Sequence, residues 1–370
     1  MLHPLDEYPV HQTPLPMSQA GTSDKNFYDR CYFNAHDRTG DVFVITGLGS
    51  YVNLGVIDAY ATVKLGDVVH TARFSGALGP DRMHQHVGPY RIEVIEPLQS
   101  VRIVCDGDDH GVGFDLTWQG SFPAVEEEPH VINNGYRTIL QSSRFAQMGS
   151  WTGEVRAGGQ TLAVEPSTWL GSRDRSWGIR PVGDADAPGR TADDASTSTG
   201  GGFWWLYVPL RFDDYQIIVM AQEKGDGYRT LNDAKRVWAD GRVEQMGWPV
   251  YDIRYRSGTR HPEHATLHLT DMSGKPVTVE IDTLGFVPLQ MGPGYGDAEW
   301  AHGQWKGENW AEAVRVDLTD PAVVPRIPFG NIDHVAHAWC DGAEGWGLFE
   351  HASIGAHAPT GFTDLMSVAP

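Results

Sequence analysis

Residues 171–181 gather four ionised side chains, Arg173, Asp174, Arg175 and Arg180, around the indole of Trp177. Stranding even one such charge in an apolar interior without a partner costs several kcal/mol. The run therefore faces water, forms a site, or makes a structural corner closed by a buried salt bridge. Downstream, Phe203-Trp204-Trp205-Leu206-Tyr207 sets aromatic rings at alternate positions, which share one face if the segment is a strand. A charged cluster beside an aromatic wall suits a pocket for a large apolar molecule with one reacting polar end. Glu299 and His302 form a second acid and base pair, flanked by Trp300 and Trp305. Indoles that exclude water raise a carboxyl pKa and let it hold a proton near neutrality, as a general acid must; a surface turn with a Glu-His contact reads the same way in sequence. Glu350 and His351 are adjacent, so in an extended run they point to opposite faces and at most one points inward.

Other chemistries lack their residues. Histidine clusters occur at His84 and His86, at His261, His264 and His268, and at His334 and His337, but none has a recognised ligand spacing. Surface histidines are expected, and no metal. The run 47–55 is rich in glycine yet has neither the spacing nor the lysine of a phosphate loop, so it reads as a tight turn before a strand. No Gly-x-Ser-x-Gly elbow occurs, and Cys31, Cys105 and Cys340 are too few and scattered for a disulfide framework. With 48 acids against 28 bases, a net charge of −20 opposes binding to nucleic acid. No window is apolar enough to span a membrane, and the first residues resemble no signal peptide, so stable membrane insertion is not expected and a cytoplasmic location is.

The elements that would position these residues are strands. Alternating or β-branched runs at 42–46, 56–64, 91–96, 101–105 and 113–118 are separated by Gly, Pro or Asp turns, and 91–118 reads as a meander of hairpins. The second half repeats the pattern at 204–211, 215–223, 235–239, 250–256, 266–270, 277–282, 313–318 and 335–340. Residues 26–34 read as a strand or short helix plugging a barrel end. With 43 Gly and 23 Pro, long helices are disfavoured. An all-β chain of many short antiparallel strands removes its edges by closing into barrels or sandwiches. The polar stretch 183–202 reads as a loop or linker, giving an N-terminal domain of 1–185 and a C-terminal domain of 186–370.

At Asp174-Arg175-Ser176-Trp177-Gly178, with the aromatic strand 204–207 behind it, the sequence resembles the AttH and carotenoid 1,2-hydratase superfamily, which includes kievitone hydratase-like and Diels-Alderase-like proteins. Tyr32-Phe33-Asn34, Tyr51-Val52-Asn53-Leu54-Gly55-Val56 and Gly347-Leu348-Phe349-Glu350-His351 carry the likeness across the chain. It implies two tandem calycin (lipocalin-like) antiparallel β-barrels and a cofactor-independent site near their junction. The hydratases' motif is similar to Asp-His-x-Trp-Gly followed by a Tyr-x-Asp pair; here Arg175 stands for the histidine and Trp205-Leu206-Tyr207 lacks the aspartate. An arginine stays charged and cannot shuttle protons. The expectation is therefore a lyase or isomerase, a hydratase of a hydrophobic terpenoid, steroid-like or polyketide alkene. Asp174 or Glu299 would act as acid or activate water, with Tyr207 or His302 assisting. Trp177, Trp204, Trp205 and Trp305 would line the cavity, with Glu350 and His351 beside it. Arg173, Arg175 and Arg180 would bind a substrate carboxylate or carbonyl, or tie Asp174 down. A lipocalin-like carrier and a pericyclase are the alternatives. The expected partner is a hydrophobic small molecule, no cofactor is needed, and a homodimer is compatible with everything above.

Overall fold

The computed structural model describes residues 2–11, 14–134, 137–187, 202–297 and 299–370. Most of the linker read at 183–202, residues 188–201, lies outside them. The chain is all β. Among the described residues the helical pieces are short 3-10 turns such as Pro4–Glu7 and Val324–Phe329, and no helix is long and apolar enough to cross a membrane. Two compact units form: Met1–Asp37, Asp41–Ala185 and Gln290–Leu318 make the first, and Arg38–Gly40, Asp186–Leu289 and Thr319–Pro370 the second. The chain thus returns to the first unit for residues 290–318 after the second has begun.

The first unit is one antiparallel sheet, whose main path runs Trp310–Asp317, Val68–Ala77, Val56–Leu65, Val42–Tyr51, Phe27–His36, Leu170–Ile179, Arg137–Ala157, Val112–Gly120, Ser100–Cys105, Tyr90–Glu96 and His86–Val87. Residues 26–34 are thus a central strand of the sheet rather than an end plug, and the expected meander is present. The sheet curls on itself until Phe74 and Ile57 share a core with Val87, Ile103 and Phe114 from the far end of the strand order. Residues 47–51 continue a strand, and the turn comes after them at Val52–Leu54, closed by Gly55 with φ +66°, a left-handed conformation that a glycine adopts without strain.

Four neighbouring strands of this sheet are buried on both faces. Their inner face is apolar, with Cys31, Phe33, Val44, Leu48, Ala59, Ala61 and Ala72. The outer face of the same strands carries Tyr28, Arg30, Tyr51, Asp58, Tyr60, Thr62, Thr71 and Arg73, also buried. A strand with both faces covered loses the simple apolar/polar alternation. Residues 290–305 lie over part of this outer face. Arg73 fastens them: it donates to the Gly292 carbonyl at 2.7 Å, pairs with Asp297 and with Glu312 at 3.2 Å, and sits 5.3 Å from the Trp300 ring.

The second unit is also one antiparallel sheet, ordered Val243–Gln245, Arg229–Trp238, Tyr215–Lys224, Phe203–Arg211, Ala343–Ile354, Ile332–Cys340, Pro276–Pro288, Pro262–Thr270 and Val250–Tyr255. Met246 joins its two ends, donating to Ala234 at 2.8 Å and accepting from Thr270 at 3.1 Å. The inward residues Trp204, Leu206, Val208, Val219, Leu267, Ile281 and Phe349 make its core.

Candidate functional site

Register divides the charged run of residues 171–181. In the strand Leu170–Ile179, Arg173 and Arg175 sit opposite Phe33 and Cys31, hence on the inner face, while Asp174 sits opposite Tyr32 on the outer face. The two inner arginines are tied down. Arg173 donates to Glu7 at 2.6 Å and to Gln147 at 2.8 Å; Arg175 donates to Asp29 at 3.1 Å and to Gln85 at 2.5 Å. Trp177 is stacked by the His11 ring at 3.5 Å, and His11 also reaches Asp29 at 2.8 Å. The N-terminal segment thus closes this end of the first unit. Arg173 and Arg175 form a buried corner, and neither ties down Asp174.

The outer face is different in kind. Asp58 is fully buried; its Oδ1 accepts from the Tyr51 hydroxyl at 3.1 Å and its Oδ2 from the Gly303 N–H at 2.6 Å. His302 Nδ1 lies 3.7 Å from Asp58 Oδ1, too far for a hydrogen bond, and neither ring nitrogen has a hydrogen-bond partner among the described residues. The imidazole is only 6 % exposed, packed among Tyr295, Trp300 and Tyr60 with ring centroids at 4.7, 5.0 and 5.4 Å. Burial, reinforced by the Arg30 charge and opposed by Asp58, pulls its pKa down to about 4, so it is neutral at pH 7. The hydroxyls of Tyr60 and Tyr295 are 3.1 Å apart, and burial holds both phenols protonated well into the alkaline range. The Arg30 guanidinium lies 5.0 Å from the Tyr295 ring and 5.5 Å from that of Tyr28, and Arg180 lies 5.5 Å from Tyr28. Asp174, half-buried on this face, is close enough to Tyr295 to oppose its ionisation. A neutral base, two protonated phenols, two carboxylates and two cations therefore meet on one face.

Of the residues singled out in sequence, Asp174, Arg180 and His302 belong to this cluster. Glu299 does not: it is exposed, and the water exclusion expected there is absent because Trp300 turns inward while Trp305 is 52 % exposed. In the second unit, Trp205 donates to Glu350 at 2.8 Å, as does Asn331 at 2.9 Å, with Tyr207 stacked on Trp205 at 6.4 Å. Trp204 lies in the core, stacked on Tyr251 at 4.7 Å. His351, on the face opposite Glu350, reaches the Trp205 carbonyl at 2.7 Å and the Tyr255 hydroxyl at 3.0 Å. Glu223, accepting from Tyr251, from Arg229 at 3.0 Å and from His357 at 3.0 Å, is a saturated structural network.

Surface histidines were the wrong expectation at two positions: His261 and His334 are buried. No group of histidine, cysteine and carboxylate side chains among the described residues could hold a metal. Sequence reasoning missed Arg30, Tyr28, Tyr51, Asp58 and Tyr60. The signal available for all but Tyr51 was polar side chains at alternate positions in two runs otherwise strand-like and apolar, 28–35 and 56–63.

A family model described as a family of unknown function (DUF8625) matches residues 2–363. Comparison with curated proteins returns no match. Among solved structures, a putative AttH from Nitrosomonas europaea is similar with a TM-score of 0.54 at 12% identity, covering 93% of this chain and 97% of the other. Kievitone hydratase from Nectria haematococca has a TM-score of 0.49 at 13% identity with the same coverage. At these identities the likeness to AttH is one of fold.

Proposed function

The chain belongs to the DUF8625 family of unknown function, a membership that brings no chemistry with it, and from the cluster in its first unit we propose a cofactor-independent lyase or isomerase, a hydratase working by general acid-base catalysis. The substrate class is a hydrophobic terpenoid, steroid-like or polyketide alkene. The observation that carries this reading is His302: a buried, neutral imidazole with both nitrogens unpartnered among the described residues, next to a fixed carboxylate and two protonated phenols. Such an imidazole is unprotonated at neutral pH, so it can accept a proton in a positioned complex.

In the forward direction His302 takes a proton from water as the water oxygen bonds to one alkene carbon. The π electrons move to the other carbon, which takes a proton from Tyr295 or Tyr60, and the imidazolium returns its proton to that phenol. Base-led addition of this kind suits an alkene polarised by a carbonyl, where charge gathers on oxygen. Protonating an isolated alkene needs a far stronger acid than a phenol. Asp58 stabilises the transient imidazolium, and positioned acid-base help is worth about 10²–10⁴-fold.

The test is a panel of terpenoid, steroid and isoflavonoid enones incubated with the protein in H₂¹⁸O and read by mass spectrometry. A labelled hydrate formed by the native protein and lost in His302→Asn supports the reading. Conversion without label that survives His302→Asn points to a pericyclase, and binding without conversion to a carrier.

A further inference from the structure

Buried arginines in this chain are matched to acceptors. Arg73 has Asp297 and Glu312, Arg173 has Glu7, Arg175 has Asp29, and Arg229 has Glu223. Arg260 donates to the backbone carbonyls of Ser353, Gly355 and Ser367. Arg30 and Arg180 break the pattern. Arg30 is 7 % exposed and Arg180 half-buried, yet neither has a carboxylate within 4.0 Å among the described residues. Arg30 lies over the rings of Tyr28 and Tyr295 and hydrogen-bonds the Tyr51 phenol. Arg180 lies against Tyr28.

The ladder explains why they are neighbours. Tyr28 pairs with Gly178 and Arg30 with Ser176, so Arg180 follows on the other side of Tyr28 along the same face. Two like charges flank one phenol ring, each 5.5 Å from its centre. Burial, and then the Arg30 charge, lower the affinity of Arg180 for its proton. Asp58, on the same outer face, is engaged by Tyr51 and Gly303. Burying two cations this way is costly unless an anion completes the group.

Resting on the catalytic reading of the same face, we propose that Arg30 and Arg180 form an anion-binding subsite and that the substrate is an apolar molecule carrying a carboxylate. The carboxylate accepts from the two guanidinium groups while the chain beyond it runs along Tyr28 and Tyr295 toward His302.

Matched pairs of acid and methyl ester, trans-cinnamate, 1-naphthoate and retinoate, test this by titration calorimetry on the full chain. Charge-assisted hydrogen bonds predict that the native protein binds acid over ester by about 10- to 100-fold, and that Arg30→Gln or Arg180→Gln brings the ratio near unity. Esters binding as tightly as acids, or a preference that survives both variants, overturns the subsite. His302→Asn keeps the acid preference while losing turnover, which separates failure of the subsite from failure of the hydratase reading. Stability supplies a second readout that needs no large ligand to enter. Without added anion Arg180→Gln relieves repulsion and unfolds at a higher temperature than the native chain, and benzoate raises the native Tm but not that of the variant. A variant that is less stable and a native Tm indifferent to benzoate would assign the pair a structural role instead.

Discussion

Acid should unfold this protein through its buried histidines rather than through its carboxylates alone. His302 and His261 have pKa values pulled down to about 4 and His351 to about 3, in each case chiefly by burial, against an ordinary value of 6.5. Because the folded pKa is the lower one, the unfolded chain takes up protons first as pH falls. The stability these groups contribute is complete above pH 6.5, declines below it, and is gone once pH passes the folded pKa. At pH 5 each unfolded histidine is almost fully protonated and each folded one almost fully neutral, so each costs about 2 kcal/mol relative to pH 7. The three together cost about 6 kcal/mol, a large part of the 5–15 kcal/mol that holds a typical domain. About two-thirds of that falls on the second unit, which holds His261 and His351. Urea unfolding followed by tryptophan fluorescence at pH 7 and pH 5 measures the loss. His302→Gln should remove about 2 kcal/mol of the pH dependence. A difference between the two pH values that is unchanged in His302→Gln, or smaller than about 1 kcal/mol overall, would refute the argument.

Arg175→Met should cost about 3–5 kcal/mol in the same assay, since it strips Asp29 of its buried cation, and should leave the acid preference of the outer face untouched. Gly171→Ala should fail to fold or lose several kcal/mol: a Cβ there meets the Asn34 carbonyl oxygen at 1.9 Å and the Trp151 Nε1 at 2.8 Å, both fixed in the sheet, and expression yield with circular dichroism reads the outcome. The thiols of Cys31 and Cys105 should ignore a thiol reagent until the chain is unfolded, because burial raises their pKa to about 11 and about 12; a native-state absorbance change with such a reagent beyond that of Cys340 would contradict this.

The strands were legible because their residues alternate or branch at Cβ and end at Gly, Pro and Asp. Sequence reasoning missed the division of residues 171–181, because it did not take the run as a strand; as one, parity sends Arg173, Arg175 and Trp177 one way and Asp174, Ser176 and Arg180 the other. What no local pattern conveys is partnership across the chain. His302 meets Asp58, Tyr295 meets Tyr60, and Arg73 meets Asp297, each pair brought together by the return of residues 290–318 to the first unit. The central strands hide their function for a second reason. With both faces buried, Arg30 and Asp58 stand in runs that read as plain core, and only their cost of burial marks them.

The return of residues 290–318 also sets an order of events during synthesis. The strand Trp310–Asp317 completes the edge of Val68–Ala77, yet it is made 131 residues after the first unit's other sheet strands are finished at Ile179 (310 − 179). At the usual 5–20 residues per second the edge waits roughly 6–25 s on the ribosome. An open edge of that length is a template on which another strand can pair. A gene fragment ending at 185 would yield a sheet with a permanently bare edge, and it would lack Tyr295 and His302 altogether.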